Sequence, residues 1–256
     1  MVSNKSARAQ SAVVPSNGPE VDGHRKLHND ILAALPDKDR AAVLAKLEAV
    51  DLPTHTILNE AEEPIKFGYF VTGGLASVLN MLSDGKRVEV GLTGKEGFVG
   101  LPLLVGFSTS PTRIVMQIGG SGLRIRADDL LELTRKYPAL EKLLQRYSQQ
   151  LNLQATQVAA CNRLHEVDAR LARWLLMCQD RIGGDEVLLT QEFLSHMLGT
   201  RRASVTVAAG ILQKEGIITY SRGRVKVADR HKLETAACEC YGKLVRLGRQ
   251  WQREVK

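Results

Sequence analysis

Apolar positions recur along this chain in three successive rhythms, and the changes of rhythm divide it. The first 25 residues, "MVSNKSARAQSAVVPSNGPEVDGHR", are polar with no period and read as disordered. "LHNDILAALPDKDRAAVLAKLEAV" then places apolar residues at helical spacing, interrupted at Pro36, which predicts two short helices. From Pro53 to about Arg126 the period shortens. "HTILNE", "FGYFVTGG", "LASVLNML", "KRVEVGL", "TRIVMQIGG" and "GLRIRA" read as strands, and Ser83-Asp84-Gly85-Lys86 reads as a hairpin turn. Short strands at this spacing predict a small antiparallel barrel or sandwich.

From Pro138 a long helix is expected. Leu140, Leu144, Tyr147, Leu151, Gln154, Val158 and Cys161 alternate four and three residues apart, a seam sustained for about three heptads. Two readings fit that seam: a helix lying on its own barrel, and a two-chain coiled coil with these seven residues at the dimer interface and Gln154 fixing the register. A further amphipathic helix, "EVDARLARWLLMCQDR", buries Val167, Leu171, Trp174, Leu175 and Cys178 and stops at "GGDE".

Next comes "LTQEFLSHMLGTRRASVTVAAGILQKEG". Thr190 is suited to cap a helix that carries Phe193, Leu194, Met197 and Leu198 inward, and Gly199 supplies the turn. Thr200 is expected to cap a second helix with a buried stripe of Val205, Ala208, Ala209 and Leu212. Two short helices joined at a glycine match a helix-turn-helix, whose second helix enters the DNA major groove N-terminal end first. Arg201, Arg202, Ser204 and Thr206 lie off the stripe in its first turns. "IITYSRGRVKV" then alternates around Ser221-Arg222-Gly223 as a basic hairpin, with Arg222, Arg224 and Lys226 placed for phosphates.

Charge sharpens this picture. Residues 1–162 carry 18 Lys+Arg against 17 Asp+Glu, whereas residues 163–256 carry 17 against 11, so the net charge of +7 sits mainly on the C-terminal third. That asymmetry points to a polyanion partner, and net charge alone does not separate nucleic acid from an acidic membrane. No apolar run approaches the roughly 20 residues of a membrane helix, and the N-terminus lacks the apolar core of a secretory signal, so a cytoplasmic location and no membrane partner are expected. Cys161, Cys178, Cys238 and Cys240 form no C-x-x-C pair and read as reduced structural thiols, Cys238-Glu239-Cys240 being a weak metal signal alone.

Barrel, long helix, hinge and winged helix together resemble the Crp/Fnr family of bacterial transcription regulators. The resemblance runs from about His28 to Val227. It is carried by "LTQEFLSHMLGTRRASVTVAAGILQKEGII", "NRLHEVDARLARWLL" and "GYFVTGGLASV…DGKRVEVG". It implies an α+β fold: an N-terminal antiparallel β-barrel of the cyclic-nucleotide-binding, double-stranded β-helix kind, a long dimerisation helix and a C-terminal winged helix-turn-helix. The corresponding spans are 1–25 for the disordered segment, 26–137 for the sensor barrel with flanking helices, 138–163 for the dimerisation helix, 164–228 for the DNA-binding domain, and 229–256 for a helical extension. A homodimer is implied that reads a two-fold site, contacts RNA polymerase and is biased by an effector at the barrel.

The departures from the family pattern are specific. Arg202 matches the first of the family's base-reading arginines, but Ala203 replaces the glutamate after it and Val207 the second arginine, so a different half-site is expected. In the cyclic-nucleotide pocket, the family's Gly-Glu pair becomes Gly100-Leu101 after Val99. Its Arg-Ser/Thr pair becomes Pro111-Thr112, with Arg113 two places late, and its base-contacting pair falls at Ala155-Thr156. Without the charge-pairing groups, orthodox cyclic AMP is not expected. The family's oxygen-sensing branch holds an iron–sulfur cluster on largely N-terminal cysteines; this chain has none before Cys161, so a cluster is not expected either. His28 and His55 are isolated histidines, read as structural rather than as haem ligands. The effector is left unidentified.

Two rival readings compete with this one. A catalytic cupin-like barrel would need a metal or acid–base cluster, and His55 is the single histidine of residues 53–126, so no enzyme is expected. The other is a non-catalytic scaffold that binds polyanions without sequence preference. In the extension, Leu244, Val245, Leu247 and Trp251 among Lys243, Arg246 and Arg249 read as a terminal helix packed on the wing domain or across the dimer.

Overall fold

The computed structural model describes residues 28–83 and 85–254; the side chains of residue 188 and of residues 251–254 are not described. The expected disordered segment 1–25, Asp84 of the hairpin turn and the Trp251 side chain lie outside the described set.

Two short helices, α1 (Asp30–Ala33) and α2 (Asp37–Leu44), form on either side of Pro36. Asn29 caps the first, accepting from the backbone N–H groups of Ile31 and Leu32, while its amide donates to Val71 O and Gly97 O. Strands β1 (Glu48–Leu52), β2 (Ile57–Asn59), β3 (Phe67–Met81), β4 (Arg87–Thr93), β5 (Phe98–Val99) and β6 (Thr112–Arg126) follow. All pairings are antiparallel, in the order β1-β6-β3-β4, with β2 on β6 and β5 on β3.

The six expected segments resolve differently at the glycine pairs. "FGYFVTGG" and "LASVLNML" are one strand, β3, and "TRIVMQIGG" and "GLRIRA" are one strand, β6; the two pair along 15 residues each, Phe67 opposite Arg126 through Asn80 opposite Thr112. Gly-Gly marks bends here rather than breaks. A Cβ on Gly120 would overlap the Gly73 carbonyl and one on Gly74 the Ile118 carbonyl, so the two backbones approach closely there only because these positions carry no side chain. The sheet curls into a jelly-roll-like shell, and among the described residues no pairing joins β4 back to β1, so the barrel is open.

Helix α3 (Ala127–Lys136), which the sequence pattern did not show, leads into α4 (Pro138–Leu164), with Pro138 in its first turn where a missing N–H costs nothing. Beyond a break at His165 come α5 (Val167–Ile182), β7 (Glu186–Leu188), α6 (Gln191–Met197), α7 (Arg202–Lys214), β8 (Ile218–Ser221), β9 (Arg224–Val227), α8 (Arg230–Ala236) and α9 (Cys240–Glu254). Strand β7, unforeseen after "GGDE", adds a third strand to the wing in the order β7-β9-β8. The terminal helix α9 packs on α4 and α5 of its own chain.

The seam of α4 requires a correction. Leu140, Leu144 and Tyr147 are buried in one core with Phe70, Phe98, Leu130 and Leu133, Gln154 is buried against Arg181, and Cys161 against Cys238 and Cys240. Leu151 leans on the same barrel core, and Val158 is half-buried. Burial within one chain has therefore claimed most of the residues assigned to a partner. The outward side of the helix is instead Gln145, Ser148, Gln149, Asn152, Thr156, Ala159, Ala160 and Arg163, polar or small up to the exposed Leu164 at its end.

A second core spans both halves of the molecule. Leu75, Leu79 and Leu92 of the sheet pack with Leu171, Trp174, Leu175, Leu194, Leu198, Val205 and Leu212 of the C-terminal half. At roughly 25 cal/mol per Å² of apolar surface removed from water, such continuity holds the halves together firmly.

Candidate nucleic-acid interface

The helix-turn-helix forms as its local signals direct. Thr190 caps α6, its hydroxyl accepting from Phe193 N at 3.1 Å. Gly199 turns the chain at φ +56°. Val205, Ala208, Ala209 and Leu212 of α7 are all buried, as the stripe requires. Thr200 does not cap α7: the N-cap is Arg201, one residue later, and no side chain satisfies the first turn. The N–H groups opening α7 are thus left for solvent or for an anion, which the helix dipole favours.

On the outward face of α7, Arg201, Arg202, Ala203, Thr206 and Val207 are exposed, Val207 to 64%, and Ser204 is half-buried. Among the described residues neither arginine is tied to a carboxylate. Arg202 stands near enough to Tyr220 to act on its phenol electrostatically, while burial moves that phenol upward. The Thr206 hydroxyl lies 3.0 Å from Gln191 Oε1, so this side chain is braced by α6.

The wing is a two-residue hairpin. Arg222 and Gly223 both have positive φ, +49° and +76°, the turn whose twist suits antiparallel strands. Arg222 and Lys226 are exposed. Arg224 is exposed too, but its Nη1 donates to Glu186 Oε1 of β7 at 2.7 Å, a pairing invisible without that strand. An exposed pair of this kind contributes little and yields readily to a phosphate.

Contacts with the sheet set the posture of this domain. Trp174 of α5 donates from Nε1 to Glu89 Oε1 at 2.7 Å, and Arg181 of α5 donates to Glu96 Oε1 at 2.7 Å, to Met177 O at 2.9 Å and to Gln154 Oε1 at 3.2 Å. Burial raises the Glu89 carboxyl to about 7, offset in part by hydrogen bonds from Ser77 and Trp174. Ser77 Oγ faces both Glu89 Oε2, at 2.7 Å, and Gln117 Oε1. A serine has one proton to give, so Ser77 bonds both neighbours either where a protonated Glu89 donates to it or where the Gln117 amide, whose Nε2 has no partner as placed, turns to donate instead.

The residues assigned to an effector pocket come from β5, the 3-10 turn after it, β6 and α4. Val99 is buried among Leu52, Leu58, Val71, Ala76, Ile114 and Met116. Leu101 packs on the barrel core from a 3-10 turn, and Gly100 enters that turn at φ +112°. The Thr112 hydroxyl pairs with Ser110 at 2.8 Å, and Arg113 donates to Glu60 at 2.7 Å, holding the Glu60 carboxyl below its ordinary value. Ala155 and Thr156 stand on α4, Thr156 exposed with its hydroxyl bonded to Asn152 O. A cleft of about 970 Å³ lies elsewhere, between α1, α4, α5 and α9, and none of these seven residues lines it.

This arrangement of open jelly roll, long helix and winged helix-turn-helix is the Crp/Fnr fold. It aligns with a crp/fnr-family putative regulator from Eubacterium rectale at 16% identity (TM-score 0.63, 80% of this chain, 96% of that one). It aligns with the c-di-GMP responsive regulator CLP of Xanthomonas campestris at 18% identity (TM-score 0.64, 76% and 100%), and with FixK2 of Bradyrhizobium japonicum at 17% (TM-score 0.64, 75% and 98%). Residues 169–236 match the Crp-like helix-turn-helix domain, so the C-terminal half carries a domain of that family. No curated protein matches the chain in sequence. Among the described residues no helix is long and apolar enough to cross a membrane.

Proposed function

We propose that this chain is a sequence-specific, DNA-binding transcription regulator, without enzymatic activity, that works in the cytoplasm as a homodimer. The observation that carries the reading is the outward face of α7. Arg201 and Arg202 stand exposed at an uncapped helix start, beside a basic wing, in a domain matched to the Crp-like helix-turn-helix. Helix α7 enters the major groove, Arg202 pairs with a guanine, and the apolar Ala203 and Val207 meet thymine methyl groups. Arg222, Arg224, Lys226 and the open first turn of α7, from Thr200 to Ser204, hold phosphates.

The two copies associate along the polar outward side of α4, where Asn152 and Thr156 offer hydrogen bonds and Ala159 and Ala160 allow close approach. An effector or signal at the sensor half biases the posture of the DNA-binding half, and bound dimers contact RNA polymerase.

Selection from a random DNA pool with the purified full chain tests this reading. The expected product is a two-fold site with half-sites about one helical turn apart, about 34–36 Å. Salt-sensitive binding with no enriched sequence would favour the polyanion scaffold instead.

A further inference from the structure

Three of the four cysteines read as reduced structural thiols in the sequence converge in space. Cys161 and His165 stand one turn apart at the end of α4; Cys238 lies in the link between α8 and α9, and Cys240 opens α9. Cys161 Sγ is 3.4 Å from Cys238 Sγ, and Cys240 Sγ is 3.6 Å from His165 Nδ1. One donor atom from each of the four lies within 4.8 Å of every other.

We propose that Cys161, His165, Cys238 and Cys240 form a Cys3His site for a single thiophilic divalent cation, zinc above all, that pins the C-terminal extension to the end of the long helix. With Zn–S bonds of about 2.3 Å, tetrahedral geometry sets neighbouring sulfurs about 3.8 Å apart, near the 3.4 Å between Cys161 and Cys238 and inside the 4.8 Å that bounds all four donors. A four-iron cluster places its own atoms between the thiolates and needs a wider cage. A disulfide would use Cys161 and Cys238 and leave the convergence of His165 and Cys240 without purpose.

The surroundings suit this donor set. Three thiolates and a neutral imidazole around a divalent cation carry one net negative charge. Arg170 and Arg173 on the adjoining α5 are both buried, each with its Nε lacking a hydrogen-bond acceptor, and both act electrostatically on Cys161. Gln157, one turn before Cys161, donates to Cys240 Sγ at 3.0 Å, as an outer-shell residue does to a ligating sulfur. His165 is half-buried, which leaves a path for the ion, and the thiol protons pass to solvent as the metal binds.

Position gives the site its consequence. His165 is the hinge residue between α4 and α5, and Cys238 N donates to Ala169 O of α5 at 3.3 Å. A cation held by both flanks fixes the angle at which the DNA-binding half leaves α4. That consequence rests on the function proposed above; the metal site itself does not.

The test is metal content of the full-length protein, purified under reducing conditions, incubated with zinc and desalted. About one zinc per protomer is expected, and the chelated protein reloaded with Co2+ should show thiolate-to-cobalt charge-transfer absorption with a tetrahedral d–d band. Cys238→Ser and His165→Ala should lose the zinc, the second while leaving all thiols in place. Zinc well below stoichiometric amounts, iron together with inorganic sulfide, or an octahedral cobalt spectrum would each overturn the assignment, and the cobalt spectrum of the unsubstituted chain decides even where a variant fails to fold. Affinity for the selected DNA site, measured with and without zinc, reads the hinge separately. Unchanged affinity would overturn the coupling, and absence of any selected site would count against the functional reading alone.

Discussion

Replacing Glu89 by Gln isolates one buried proton that links the sensor sheet to the DNA-binding half. The folded protein holds this carboxyl at about 7, chiefly through burial, against an ordinary value of 4.5. As pH rises past 4.5 the unfolded chain gives up the proton first and the folded chain keeps it until near 7. Over that window the unfolded state binds fewer protons, so stability declines with rising pH and levels off above it. Between pH 5 and pH 8 the loss from this group is about 2–3 kcal/mol. Glutamine keeps the geometry: Oε1 accepts from Trp174, and Nε2 donates to Ser77, which donates to Gln117. Urea unfolding of the wild type and of Glu89→Gln at pH 5, 6, 7 and 8, followed by circular dichroism, reads the effect as a difference, cancelling every other titrating group. The variant should gain on the wild type by about 2–3 kcal/mol across that range. A difference constant with pH within about 0.5 kcal/mol, well inside what linkage demands, would mean that Glu89 is ionised in the fold and that the Gln117 amide donates to Ser77 instead.

Other expectations follow from the same contacts. Arg202→Ala should cost about 1–3 kcal/mol on the selected site and relax preference at one base pair, measured by anisotropy titrations on single-base variants. Arg224→Ala should weaken all sequences alike and reduce the salt slope by about 1; equal behaviour of the two variants would make Arg202 a phosphate contact. Arg181→Leu leaves the half-buried Glu96 without its partner and should destabilise the chain by about 1–2 kcal/mol in thermal or urea unfolding. Gly199→Ala forces a side chain into positive φ and against Val88 Cγ2 at 3.0 Å, which should cost at least about 1–2 kcal/mol by the same assay.

The winged helix was legible because its determinants are local. Thr190, Gly199 and the stripe from Val205 to Leu212 act within a few residues of one another, and the structure displaces only the cap of α7. The α4 seam allowed two readings because a heptad period states that a face is buried and not against what; in the structure Leu144 and Tyr147 meet their own sheet. Glu89 sat unnoticed in "KRVEVGL" as an ordinary polar strand position, since its burial depends on Trp174, 85 residues away. Cys161 and Cys238 are 77 residues apart, and only the return of the link before α9 to the end of α4 brings them together. The paired glycines of β3 and β6 read as strand ends because their use, letting two backbones approach closely, is a property of the pair of strands.

The core shared by Leu75, Leu79 and Leu92 with Trp174, Leu194 and Leu198 bears on modularity. Regulators of this architecture invite recombination, one sensor exchanged for another at the hinge. Here a cut at His165 would run beside a continuous apolar seam and bare both of its sides. A chimera joined there inherits two sticky faces unless the incoming sensor brings leucines that fit around Trp174. In this protein the unit that can be exchanged is larger than either domain, and changes in one half are constrained by the packing of the other.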